Sequence, residues 1–137
     1  MSNAVTALLY GGTTALNVYG TNTSSSGVQL TANATAWGTT SDESLKTDLQ
    51  PITDGLNKVG SLRAVTGRYE TDEEGTSRSF LIAQDVQAVL PEAVDATDPD
   101  RLGLRYTEII PLLVSSLKES KERIESLETR ISQLESN

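Results

Sequence analysis

Residues 1–40 contain no Asp, Glu, Lys or Arg, and all 11 basic and 19 acidic side chains of the chain come after them. This break limits the possible folds more than any other feature, because it separates two segments with different physical demands. At the junction stands Ser41-Asp42-Glu43-Ser44-Leu45-Lys46, which holds the first charges and the first lysine of the chain. Before it, Thr, Ser, Asn, Gly and Ala dominate from Gly11 to Thr40. Within that stretch Ala15–Tyr19, Val28–Thr31 and Ala34–Trp37 alternate, with Gly20, Gly27 and Gly38 as punctuation. The alternation predicts three short strands joined by turns. Ser24-Ser25-Ser26-Gly27 by itself has the composition of a flexible linker. Tyr10, Tyr19, Trp37 and the spaced Val and Leu residues are more than a linker needs. One copy has too few apolar residues for a core, so the strands are expected to become stable only when several chains wind together. Until then their unpaired edges invite aggregation.

The 137 residues suit one domain with appendages. A net charge of −8 argues against nucleic acid and against an anionic membrane surface as partners. With neither Cys nor His, disulfides, thiolate nucleophiles, the Ser-His-Asp triad and the common zinc ligands are excluded. Nothing calls for a metal or a cofactor. The apolar run Ala4–Tyr10 follows no basic residue and is too short to span a bilayer. No targeting signal is visible, so synthesis and assembly in a cytoplasm are expected. The Met-Ser-Asn-Ala start reads as that of a piece of something longer.

In the charged segment Leu45, Leu49, Ile52, Leu56 and Val59 fall at helical spacing, interrupted by Pro51. The pattern predicts a turn at 43–49, then a helix from Pro51 to Val59 stopped by Gly60. Strands are expected over Leu62–Tyr69, Arg78–Ile82 and Leu102–Tyr106, with polar loops at 71–76 and 97–100. A helix is expected over Ala83–Leu90, ended by Pro91. Thr107 reads as the N-cap of a last helix running to the C-terminus, with Pro111 early enough to be tolerated. Along that helix Ile110, Leu117, Ile124 and Ile131 take one heptad position, and Leu113, Ser120, Leu127 and Leu134 the other. This predicts a coiled coil. Its first turns, near Ile110 and Leu113, are expected to pack on their own domain. Beyond Ser120 the stripe needs other chains. Arg123 with Glu128, and Arg130 with Glu135, would pair between parallel neighbours.

Without Cys or His, nucleophilic chemistry needs a hydroxyl activated by another group, and a lysine made neutral by burial can do this. Of the four lysines, Lys118 and Lys121 sit on the heptad helix, which leaves Lys46 better placed than Lys58. Spacing alone also allows Ser41 to be a helix cap and Lys46 a solvated surface residue. Three motifs decide the reading. Ser41-Asp42-Glu43-Ser44-Leu45-Lys46, then Phe80 to Val94, then Leu104 to Leu113 resemble, in order, the C-terminal intramolecular chaperone (peptidase S74) domain of phage tailspikes and tail fibres. The resemblance covers residues 41–134.

It implies a homotrimeric chaperone that assembles an upstream triple β-helix and is then released by autoproteolysis. Ser41 and Lys46 match the family's catalytic pair, and Ser41–Asp42 its cleavage junction. Gln84 and Tyr106 match motif positions that read as structural. The expected fold is α+β: a small mixed domain at 41–137, with its coiled-coil helix at 107–137, preceded at 1–40 by the β-rich end of a fibre shaft. The expected partner is the chain itself, with no nucleic acid and no membrane. The shaft would remain in the virion tail, and the chaperone would leave after assembly in the host cytoplasm. The alternative is a trimerisation domain of a viral fibre that does not cleave. Two matters stay open. A Ser41 hydroxyl attacking its own carbonyl would close a strained four-membered ring, so the pair activates water, attacks at Thr40, or enlists Asp42. On a straight helix Ser41 and Lys46 would also point about 140° apart. Ser41 must therefore lie on a non-helical approach, or the pair must form between chains.

Overall fold

A computed structural model of the chain describes residues 8–11, 15–19 and 27–136, with side chains from residue 28. The linker-like Ser24, Ser25 and Ser26, and the turn at Gly20, lie outside the described residues. The chain forms two compact units, Met1–Gln50 and Pro51–Asn137.

In the first unit, β1 (Leu8–Gly11), β2 (Ala15–Tyr19), β3 (Gly27–Thr31) and β4 (Gly38–Thr39) form an antiparallel meander in that order. The register sets Leu16 opposite Leu30 and Val18 opposite Val28, so the apolar positions of β2 and β3 coincide. Two of the three expected strands are present. The third, at Ala34–Trp37, is not. The Ala34 amide donates to the Thr31 carbonyl at 3.0 Å and Asn33 takes a left-handed φ of 65°, which reverses the chain just there. A strand forms directly after Trp37, at Gly38–Thr39, and a further one occupies Leu8–Gly11. Among Val28–Gln50 only Val28 and Leu30 are even half-buried.

The second unit holds a core of Val86, Leu90, Ala93, Val94, Ile109 and Leu112. Around it lie β5 (Ala64–Gly67) paired with β6 (Arg78–Leu81), α2 (Ala83–Val89), β7 (Val94–Asp95) paired with β8 (Gly103–Leu104), and α3 (Ile110–Glu135). The architecture is mixed, with short strands and a long C-terminal helix. The polar loop at 71–76 folds as a lock: Asp72 accepts a two-pronged bond from Arg78 at 2.8 and 2.9 Å, and the Tyr69 amide donates to it. Pro91 ends α2 as expected, and it also opens a 3₁₀ turn over Pro91–Ala93.

Several features differ from the sequence reading, and the strand expected over Leu62–Tyr69 runs only Ala64–Gly67. The first helix, α1, is Gly55–Gly60 and not Pro51–Val59. Its missing first turn has a specific cause. The Ile52 carbonyl, which would accept from the Leu56 amide in a longer helix, accepts instead from Ser115 Oγ at 2.7 Å. The Leu56 and Gly55 amides donate to the Glu119 carboxylate at 2.9 and 2.7 Å. Side chains of α3 thus take over the cap, while Asp54, left-handed at φ 58°, breaks the chain direction before it. Gly55 is needed for that approach, since a Cβ there would stand 2.8 Å from the Ser116 backbone nitrogen.

The strand expected over Leu102–Tyr106 shortens to Gly103–Leu104, because Tyr106 already begins a 3₁₀ turn over Tyr106–Ile109. Thr107 lies inside this turn, its carbonyl accepting from the Ile110 amide, so it is not the cap of the last helix. Pro111 is tolerated in the first turn of α3, as expected. A further difference concerns the face that α3 turns inward. Ile109, Leu112 and Ser116 are buried, whereas Ile110 and Leu113, expected against the domain, are 55% and 42% exposed. The heptad stripe therefore faces outward from the start of α3.

Candidate active site at the Ser41–Lys46 turn

Ser41 lies on an extended approach to a single 3₁₀ turn, Glu43–Leu45, and Lys46 leaves it in extended conformation at φ −118° and ψ 146°. Two backbone bonds close the turn, from Leu45 to the Asp42 carbonyl at 3.3 Å and from Lys46 to the Glu43 carbonyl at 3.0 Å. The chain doubles back over these few residues and a long helix never forms. The 140° separation of a regular helix therefore does not arise, and the pair meets within one chain. Lys46 Nζ donates to Ser41 Oγ at 2.8 Å and to the Ser41 carbonyl at 3.0 Å.

Asp42 caps the turn. Its Oδ1 accepts from the Ser44 amide at 2.8 Å and from Ser44 Oγ at 2.7 Å. The Ser44 hydroxyl, then the Ser44 amide and the nearby Lys46 charge, hold the Asp42 carboxyl below the usual aspartate range. Ser41 was the residue that a purely structural reading would have made the cap. That role falls to Asp42, one residue on. Sequence reasoning took Asp42 as half of a junction and as a possible participant in the cut, not as a cap, and did not single out Ser44. The signal was there: an aspartate followed two residues later by a serine, at the start of a turn, is an N-cap pattern.

Both members of the pair are exposed, as is every residue from Ala32 to Gln50. Leu45 and Leu49, each 57% exposed, present apolar surface along the same short stretch. Of the other motif residues, Tyr106 accepts the Leu81 amide on its hydroxyl at 3.1 Å and so holds the end of β6 to the last 3₁₀ turn. Gln84 is exposed in the first turn of α2. Lys121 pairs with Glu125 at 2.8 Å on the surface of α3. Among the described residues no group of Asp and Glu is arranged to hold a metal ion, and no helix is long and apolar enough to cross a membrane.

A three-atom arrangement of this kind can move a proton and polarise a peptide bond. A lysine amine has donors for the carbonyl and, when neutral, a lone pair for the hydroxyl proton.

Comparison with known proteins gives the family model of peptidase S74, described as chaperone of endosialidase, over residues 41–95. The chain is also homologous to the long tail fibre protein Gp37 of Enterobacteria phage K3 and of Enterobacteria phage T2. Each is 33% identical to it over 98 residues, 66% of this chain. The chain spans only 8% and 7% of the lengths of these two relatives.

Proposed function

We propose, with residues 41–95 as a peptidase S74 chaperone segment, that the chain gathers copies of itself at the end of a phage tail fibre and then cuts its own Ser41–Asp42 bond. The observation that carries this reading is the double contact of Lys46 Nζ with Ser41, 2.8 Å to the hydroxyl and 3.0 Å to the carbonyl of the bond to be cut. In the proposed step a water adds to the Ser41 carbonyl carbon. Its proton passes through Ser41 Oγ to neutral Lys46, whose N–H stays on the carbonyl oxygen as negative charge grows there. Lys46 then hands the proton to the Asp42 nitrogen and the C–N bond breaks. One water is consumed: the Ser41 carboxylic acid first formed gives its proton to the new Asp42 amine, so a Ser41 carboxylate and an Asp42 ammonium result, and Lys46 returns to its neutral starting form. Passing the attack to water avoids the four-membered ring that Ser41 would close on itself.

Assembly is supported by α3. Ile110, Leu113, Leu117, Ile124, Leu127, Ile131 and Leu134 are 42–77% exposed in the single chain, an apolar stripe at heptad spacing interrupted at Ser120. The expected occupant is the same stripe of other copies, parallel, with Arg123 against Glu128 and Arg130 against Glu135. Isoleucine and leucine at these positions favour two strands in simple peptides. The number three rests on the resemblance to the trimeric family. Residues 1–40 would then be the end of the fibre shaft and stay in the virion tail, and 41–137 the chaperone domain.

One observation favours the other reading, a trimerisation domain that never cuts. Ser41 and Lys46 are exposed, and catalysis by a neutral lysine wants burial. On the cleaving reading the neighbouring copies, drawn to Leu45 and Leu49, supply that cover. Denaturing electrophoresis of the purified chain separates the two: two bands for the cleaving form, one for the other. Lys46→Arg should leave one band, because arginine keeps its proton and cannot act as the base. A factor of about 10² or more in rate is expected from losing a general base. If Lys46→Arg cuts at the normal rate, the pair is not the catalyst.

A further inference from the structure

We infer that Asp42 is a positioning residue for the proposed cut: by holding both donors of Ser44, it maintains the turn that brings Lys46 Nζ to the Ser41 hydroxyl and carbonyl. This rests on the autoproteolysis reading above. Its separate basis is what holds, and does not hold, the Glu43–Leu45 turn in place.

Five residues in extended conformation would span about 16 Å, farther than a lysine side chain reaches back. The contacts at 2.8 and 3.0 Å therefore exist only while the turn does. The turn buries no residue, so packing within the chain does not fix it. Its two backbone bonds include one of 3.3 Å, and isolated 3₁₀ turns of this length are marginal in water. What remains is the pair of bonds from Ser44 to Asp42 Oδ1, at 2.8 Å from the amide and 2.7 Å from the hydroxyl. They tie the capping residue just before the turn to its middle and leave Lys46 one residue past its end. Both go to Ser44 and not to the Ser41 hydroxyl, so Asp42 acts through Lys46 and not on the reacting atoms.

This assignment separates two reasons for an aspartate after the cut bond. If its acidity or its place beside the bond mattered, any change at 42 would be harmful and Ser44 would be irrelevant. If the cap matters, asparagine serves, because its side-chain oxygen occupies the same place and caps as well. Ser44 then matters only through Asp42.

The test follows cleavage of the full-length chain from the time of synthesis, by denaturing electrophoresis, with thermal unfolding recorded for each variant. Asp42→Ala should cut about fivefold more slowly, the population loss expected from one missing cap, with unfolding unchanged. Asp42→Asn should restore the rate to within about twofold. Ser44→Ala, which keeps the amide bond and loses the hydroxyl, should slow cutting about twofold. It should add nothing on the Asp42→Ala background, as expected of partners in one interaction. Ser41→Ala and Lys46→Arg give the reference for no cutting. If either still cuts, or the wild-type chain never does, the autoproteolysis reading fails and this inference with it. If both are inert while Asp42→Ala matches wild type, only the inference falls. It falls equally if asparagine fails to rescue, or if the Asp42 and Ser44 effects multiply.

Discussion

Two faces of one helix are put to different uses. On α3, Leu112 and Ser116, just after Ile109, face inward, and Ser115 and Glu119 beside them reach Ile52, Gly55 and Leu56. This face closes the core of the second unit. One residue further round, Ile110, Leu113 and Leu117 begin a stripe that stays exposed through Leu134. The first face is small and partly polar and is fully used within the chain. The second is large and apolar and has no partner among the described residues. A helix that only completed its own domain could stop near Glu119. On the proposed reading the remaining turns serve as a surface for other copies, and the two faces should then fail in different ways when disturbed.

Truncation should give the largest separation. Ending the chain after Leu113 removes Ser115, Ser116 and Glu119 along with the stripe, so both the fold of the second unit and assembly should be lost. Ending it after Arg123 keeps those three residues. The far-ultraviolet spectrum should then lose helix in proportion to the residues removed and keep a cooperative melt, while sedimentation shows a monomer. An Arg123 truncation that still assembles would mean the outer stripe is dispensable.

Single substitutions repeat the contrast at lower cost. Leu112→Ala, at a fully buried site, should remove about 2–5 kcal/mol from unfolding of the second unit. Leu127→Ala, at a site 52% exposed in the single chain, should change the dilute-limit melt by less than about 0.5 kcal/mol. It should instead weaken assembly, seen as a melting temperature that depends more steeply on protein concentration. Equal effects of the two on a dilute sample would erase the distinction between the faces.

Gly55→Ala tests how closely the inner face is fitted. Its Cβ would sit 2.8 Å from a backbone nitrogen of α3, which cannot rotate away, so about 1–3 kcal/mol of destabilisation is expected by chemical denaturation. The smallest effect concerns Glu119. The Leu56 and Gly55 amides, in that order, hold its carboxyl below the usual glutamate range. A lowered folded value means the carboxylate stabilises the fold above the ordinary glutamate pKa, and this is lost as pH falls through the lowered value. Glu119→Gln should therefore flatten the acid limb of the stability–pH profile. An unchanged limb would show that the cap carries no charge-dependent part.

These contrasts were only partly legible in the sequence. The long C-terminal helix was, because apolar residues recur along it at helical spacing from Ile110 to Leu134. Which stripe faced inward was not. The inward face is carried by Ser115, Ser116 and Glu119 beside Leu112, and three such residues look like surface until their partners are known. The same blindness misplaced the start of α1: Pro51 and Ile52 continue a helical pattern, and only the Ser115 and Glu119 bonds explain why no helix forms there. In the first unit the period-two alternation located β2 and β3, but the turn at Asn33 displaced the next strand from Ala34–Trp37. At the candidate site the motif drew attention to Ser41 and Lys46, and the structure sets them 2.8 Å apart. The turn that joins them depends on Asp42 and Ser44, whose side chains carry no periodic signal.

The proposed cut between Ser41 and Asp42 is tested most directly by the intact mass and N-terminal residue of each species in purified, denatured full-length protein. The expected result is two polypeptides, residues 1–41 and 42–137, the second beginning at Asp42, with Ser41→Ala giving only the uncut chain. An uncut wild type, a second fragment beginning at Ser41, or the same two fragments from Ser41→Ala would contradict it.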